Sequence, residues 1–124
     1  MLNEEQQELI ESQNIVALST SSLDGQAHTI FVEASIVKSD SIIITDNHMV
    51  KTLLNIEENK KVFLLAYSGN YRTILNITGT AIYHDSGELL EEVKNLPSNA
   101  SEQPKGAIVV NIINVEEHNS NEDF

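Results

Sequence analysis

Apolar side chains along this chain recur with two different periods, and the switches between them outline its elements. Residues 15–20 (IVALST) form a short run rich in branched side chains, which predicts a strand. Residues 27–37 predict a longer one, and Asp24-Gly25 between them is a hairpin signal. After the polar turn Lys38-Ser39-Asp40-Ser41, residues 42–45 (IIIT) are an unbroken apolar β-branched run, as in a buried strand. The period then changes. Val50, Leu53 and Leu54 fall at i, i+3 and i+4, the apolar stripe of a short helix over 49–57, with Asp46 and Asn47 as turn and N-cap residues.

Strands return over 62–67 and 72–83, set off by the turns Asn59-Lys60-Lys61 and Ser68-Gly69-Asn70. Residues 85–96 predict a helix with Leu89, Leu90 and Val93 inward, 97–105 a polar loop, and 107–115 (AIVVNIINV) a last strand. At the start, Asn3 caps a first helix and Gln6 reaches back to it, with Leu2, Leu9 and Ile10 as a narrow apolar face. Six strands joined largely by tight turns form an antiparallel sheet. Three short helices cannot cover both faces of such a sheet, whereas closure removes its edges and encloses a core. The expectation is a mainly β protein, a six-stranded antiparallel β-barrel with short flanking helices. Residues 1–115 form its single domain and 116–124 an acidic, mobile tail.

Composition narrows the chemistry. The chain has 124 residues, 40% of them hydrophobic, enough for one domain with a real core. No run reaches the length of a membrane span and no signal peptide opens the chain, so a cytoplasmic location is expected. The absence of cysteine excludes disulfides, thiolate nucleophiles, iron–sulfur clusters and Cys-ligated zinc. A net charge of −12 disfavours nucleic acid and anionic membranes as partners. His28, His48, His84 and His118 lack metal-ligand spacing, so no metal is expected; His48 alone borders the candidate site. No acid–base pair stands out, and catalytic residues are left unassigned.

With only seven cationic side chains in the sequence, an anionic ligand has few places to bind. Lys51 and Thr52 stand at or near the start of the predicted helix 49–57. Free N–H groups and the positive end of the helix dipole favour an anion there. Strand, turn and helix start together suggest a phosphate. The plainer reading is an ordinary strand-to-helix junction.

The order of the motifs resembles the flavin-binding split β-barrel family, whose best-known member is pyridoxamine 5′-phosphate oxidase. The likeness rests on residues 15–20 followed by Asp24-Gly25-Gln26-Ala27-His28, on Thr45-Asp46 through Lys51-Thr52-x-x-Asn55, and on Thr78-Gly79-Thr80-Ala81. Ala27 stands where the family usually has proline, and the arginine-rich phosphate sites of the vitamin oxidases have no counterpart. The short chain looks most like the single-domain FMN-binding proteins. The resemblance implies a split barrel that binds FMN at a homodimer interface and acts as a flavin-dependent oxidoreductase or electron carrier, with a small molecule or a protein as redox partner. It further implies that Lys51 and Thr52 meet the phosphate, with Thr45, Asp46 and Asn47 alongside. The segment Phe31-Val32-Glu33 would run beside the ring system, largely through backbone groups.

Two rival readings stand. The same barrel could bind a deazaflavin or haem, or it could be a binding or structural module without a cofactor. Glu33 sits in an apolar strand and either faces water or approaches the ring edge. Tyr67 and Tyr71 either stack on a flavin or cover the barrel end. Dimerisation has an independent motive. A small barrel is filled by its own side chains, so a flavin must lie outside it. Residues 62–67 and 107–115 also offer more apolar surface than one interior uses.

Overall fold

The structure, a computed structural model, describes residues 1–120. Strands β1 (Ile15–Ser21), β2 (Ala27–Val37), β3 (Ser41–Asp46), β4 (Lys61–Tyr67), β5 (Thr73–His84) and β6 (Gly106–Asn119) close into a barrel in the order β1-β2-β3-β6-β5-β4. Every neighbouring pair is antiparallel. This is the mainly β, six-stranded antiparallel barrel that the strand and turn spacing predicts. Helices α1 (Glu4–Gln13), α2 (Lys51–Glu58) and α3 (Glu88–Lys94) pack on it.

Alternation fills the interior. Val16 and Leu18 of β1, Leu64 and Ala66 of β4, and Leu75, Ile77 and Ala81 of β5 are buried in one cluster. Leu2 and Ile10 at α1 and Ile56 of α2 join that cluster. Asn3 and Gln6 form the predicted capping box of α1. The unbroken apolar run in β3 has a simple cause. Ile42 and Ile44 belong to the barrel core, while Ile43 packs with Leu90, Val93 and Ala107 beneath α3. Both faces of the strand are therefore covered. Among the described residues, no helix is long and apolar enough to cross a membrane.

Three boundaries differ from the sequence reading. First, β6 runs on to Asn119, so residues 116–119, expected to begin a mobile tail, pair instead with β5 from Asn76 back to Thr73. Backbone pairing needs no apolar side chain, and exposed Glu116 and Glu117 suit the wet end of a strand. Residues 121–124 of the expected tail lie outside the described residues. Second, α3 is shorter than 85–96, and residues Pro97–Asn99 form a 3-10 turn within the expected loop. Third, α2 begins at Lys51 and not at residue 49. The surplus apolar surface divides between the two expected strands. In β6, Ile108 and Val110 fill the barrel and Ala107 and Val109 lie under α3, while Ile113 is exposed; in β4, Phe63 and Leu65 are only partly buried.

The β1–β2 turn is set by one glycine. Gly25 has φ +90°, its N–H donates to the Ser22 carbonyl (3.0 Å), and the Ser22 N–H donates to the Gln26 carbonyl (3.1 Å). A Cβ here would meet nothing within 4 Å, so the cost of a side chain is backbone strain alone. Gly25→Val should destabilise the cofactor-free protein by about 1–3 kcal/mol. An unchanged melting temperature would show that the turn can be built another way.

Candidate functional site

The site is assembled where β3 ends. Asp46 is fully buried, and both carboxylate oxygens are engaged. Oδ1 accepts the Met49 N–H (2.7 Å) and Oδ2 accepts the Tyr83 hydroxyl (2.6 Å). Its backbone carbonyl accepts the Lys105 N–H (2.8 Å). Partial burial, together with the bond to the Asp46 carboxylate, pushes the Tyr83 phenol well above the usual tyrosine range. Asp46 thus shapes the turn 46–49 and presents no free oxygen to a ligand. This is also why α2 starts late. The capping signal read from Asp46 is spent on the Met49 N–H, before the helix begins.

Val50 occupies the cap position in a non-helical conformation (φ −126°, ψ −66°), and no side chain caps the first turn. The Leu54 N–H donates to the Val50 carbonyl (3.1 Å), which leaves the N–H groups of Lys51, Thr52 and Leu53 without an intrahelical acceptor. Lys51 is exposed at this end. Its charge reaches Asp24 in the β1–β2 turn, where a Ser22 hydrogen bond first, and Lys51 least, hold the carboxyl below its ordinary range. The Thr52 side chain is buried, so its free contribution to an anion is the N–H.

Beside this helix start lies a cleft of about 280 Å³, walled by Ile30, Phe31, Val32 and Glu33 of β2 and by Thr45, Asn47, His48 and Met49. Phe31 is 74% exposed, whereas the Val32 side chain belongs to the barrel core. Thr45 shares its hydroxyl with Ser35 (2.7 Å) and accepts from Asn99 Nδ2 (3.1 Å). Asn47 differs. Its Oδ1 is buried and has no hydrogen-bond partner. A buried acceptor of this kind calls for a donor, and a ligand hydroxyl or N–H would supply one.

Of the eight residues predicted for the site, Phe31, Val32, Glu33, Thr45 and Asn47 converge on the cleft. Lys51 and Thr52 stand just beyond it at the helix start, and Asp46 lies beneath it. Tyr67 and Tyr71 stack on each other, with ring centroids 5.6 Å apart. Sequence reasoning missed Tyr83, Ser35 and Asn99. Tyr83 and Asn99 reach the site across long separations in the chain, where periodicity gives no signal; Ser35 lies two residues beyond the predicted Glu33 on β2, and its pairing with Thr45 depends on the β2–β3 register. His48 and Met49 were next to the predicted residues and could have been included on that ground.

Strand register brings a second feature to the same face. Phe31 is opposite Ala17, which is opposite Leu65; Ile15 is opposite Glu33, and Ser19 opposite Phe63. Residues paired in this way share a face. The outer surface of β1, β2 and β4 therefore carries Ile15, Ala17, Phe31, Phe63 and Leu65, and borders the cleft at Phe31 and Glu33.

Comparison with known proteins decides the family. The pyridoxamine 5′-phosphate oxidase family model matches residues 2–119. The chain belongs to this family. The MJ0282 protein of Methanocaldococcus jannaschii is 33% identical over 120 residues, covering 92% of this chain and 78% of that protein. HupZ of Group A Streptococcus superposes with a TM-score of 0.86 at 20% identity, over 97% of this chain and 96% of that one. An FMN-binding protein from Syntrophomonas wolfei gives a TM-score of 0.76 at 18% identity, over 90% and 82% of the two chains. The structural likenesses establish a shared fold. The oxidase-family motifs read from the sequence now have physical content. The Asp-Gly pair is the β1–β2 turn, Thr45-Asp46 is the end of β3, and Gly79 and Ala81 are buried on β5.

Proposed function

We propose that this protein binds FMN, with the phosphate at the start of α2 and the ring system along Phe31-Val32-Glu33, and that it works as a flavin-dependent oxidoreductase or electron carrier. The observation that carries this reading is the uncapped first turn of α2, with Lys51 on it, beside a cleft that holds an unpartnered acceptor. Free N–H groups and a lysine suit a phosphate. Asn47 Oδ1 suits a donor such as a ribityl hydroxyl, so its expected place beside the phosphate is better read as one beside the sugar chain. The exposed Phe31 offers apolar contact to a flat ring. Bound FMN supplies the electron transfer, and the chain supplies position and local electrostatics. Membership of the family and the FMN-binding protein among the structural relatives support the same ligand.

The site is open, and one subunit would leave a flavin wet. We place a second copy over the outer face of β1, β2 and β4, where Ile15 and Phe31 are exposed. A two-fold arrangement covers both sites with one self-complementary surface. The charge of −12 on each copy opposes it, but salt screens that repulsion and does not screen apolar burial.

The protein should therefore purify with, or take up, a yellow chromophore that is released as FMN on denaturation, and sediment as a dimer that FMN strengthens and moderate salt preserves. Flavin extraction with mass measurement, followed by sedimentation equilibrium at two salt concentrations, tests both parts. A Soret band would transfer the site to haem, and a deazaflavin mass would change the ligand. A protein colourless after incubation with FMN would end the flavin reading. A monomer that binds FMN tightly would remove the interfacial site.

A further inference from the structure

Tyr83 belongs to β5, on the far side of β6 from the turn that carries the cleft residues. Its hydroxyl nevertheless reaches across to Asp46 Oδ2 at 2.6 Å. The same carboxylate holds the Met49 N–H through its other oxygen. The Asp46 carbonyl is held by the Lys105 N–H, and Asp46 pairs with Gly106 at the start of β6. One buried residue, through its side chain and its backbone, thus ties together the turn 46–49, β5 and the start of β6. The first of these, the turn 46–49, leads directly into α2 and with it forms the proposed phosphate and sugar-chain contacts.

Gly106 fits this arrangement. A Cβ on Gly106 would lie 2.3 Å from the Tyr83 hydroxyl oxygen and 2.4 Å from its ring carbon Cζ. The ring occupies the space that any other residue would fill. Any side chain at 106 would therefore have to displace the Tyr83 ring.

We infer that Tyr83 is a positioning residue for the ligand phosphate: acting through Asp46, it fixes the turn 46–49 and so the placement of Lys51 and the free N–H groups at the start of α2. The inference rests on the FMN reading and adds to it the group that makes phosphate recognition rigid. Without the phenol, the Asp46 carboxylate loses one of its two anchors. The turn then samples positions in which the Lys51, Thr52 and Leu53 groups no longer converge. Riboflavin keeps the ribityl chain that Asn47 meets but lacks the phosphate, so it loses less than FMN.

Titration of the wild-type protein, Tyr83→Phe and Gly106→Ala with FMN and with riboflavin tests this. Tyr83→Phe should weaken FMN by about tenfold, the scale of one buried hydrogen bond, and weaken riboflavin by clearly less. Gly106→Ala should show the same selective loss, because it displaces the ring. Asp46→Asn keeps an acceptor for the Met49 N–H and gives up the charge. Its loss should be smaller than that of Tyr83→Phe and should again fall more on FMN than on riboflavin. Combined with Lys51→Ala, Tyr83→Phe should cost less than it does alone, since part of its effect passes through Lys51. Equal weakening of both flavins, or full additivity with Lys51→Ala, would reduce Tyr83 to a packing role and overturn the inference.

Amide exchange on the cofactor-free proteins separates a failure of this inference from a failure of the FMN reading. Tyr83→Phe should speed exchange of the Met49 N–H, held by Asp46, and of the Leu54 N–H in the first turn of α2, and leave the barrel strands protected. Unchanged exchange there would overturn the positioning role whatever the ligand proves to be.

Discussion

Gly79→Ala should be among the most damaging single-carbon changes in this protein. A Cβ on Gly79 would lie 2.6 Å from the backbone carbonyl oxygen of Asn111 and 2.8 Å from Val110 Cγ1. Real Cβ atoms do not approach a backbone oxygen so closely. The carbonyl belongs to β6, which is hydrogen-bonded on both sides, so it cannot swing away as a side chain could. Gly79 also sits at the register shift between Thr78 and Gly79, where β6 places an extra residue, Ile113, between the partners of the two. Accommodating the methyl would require β5 and β6 to part at this bulge. Overpacking of this kind costs about 2–3 kcal/mol, a fall of roughly 10 °C in melting temperature for a domain of this size. Thermal unfolding of the cofactor-free protein measures it. Gly25→Ala is the informative control, because nothing occupies the space around Gly25 and only its φ is at stake. If Gly79→Ala melts with the wild type, the close approach at the bulge is relaxed in solution and the account of this glycine fails.

The contrast between these glycines shows what a sequence can convey. Asp24-Gly25 is legible because a left-handed turn residue is a local requirement, met within five residues of chain. Gly79 is silent in that sense. What demands it is an oxygen 32 positions further on, brought near only by barrel closure. The same division runs through the site. Alternation in 15–20 and 62–67, and the unbroken run in 42–45, reveal strands because each is a statement about which face is buried. That Phe31 faces outward while Val32 faces the core is not legible, since both are apolar and alternation alone does not distinguish them. Asp46 divides in the same way. Its place as a turn residue at the end of a strand is legible; what it binds is not. Its partners, Met49 and Tyr83, make it a buried tie and not a surface for ligand, and Tyr83 lies 37 positions away. Asn99 is similar. In sequence it is one polar residue in a polar loop; in the fold it is buried and donates to Thr45 and to the Val93 carbonyl.

Lys51→Ala should weaken FMN binding by about ten- to a hundredfold, more than the loss of any other single lysine. The first turn of α2 lacks a side-chain cap, and three consecutive N–H groups there have no intrahelical acceptor. An anion placed among them is favoured by the helix dipole, but the chain's charge of −12 opposes it. A cation at the contact must tip the balance, and Lys51 is the cation at that helix start. A charge-assisted hydrogen bond contributes about 1.5–3 kcal/mol, and the exposed setting of Lys51 in a single subunit points to the lower part of that range. Lys61→Ala is the control that matters, because Lys61 also stands among hydroxyls, beside Ser19, Thr20 and Ser21, in a separate surface hollow between β1 and β4. That hollow lacks a helix start and should be silent toward FMN. Riboflavin provides the second control. It should bind the wild-type protein poorly, and its affinity should not change in Lys51→Ala, because the group that Lys51 recognises is missing. Fluorescence titration of the three proteins with both flavins gives the comparison directly. Equal FMN affinity in the wild-type and Lys51→Ala proteins would remove the phosphate from the start of α2, and a selective loss in Lys61→Ala would move it to the β1–β4 hollow.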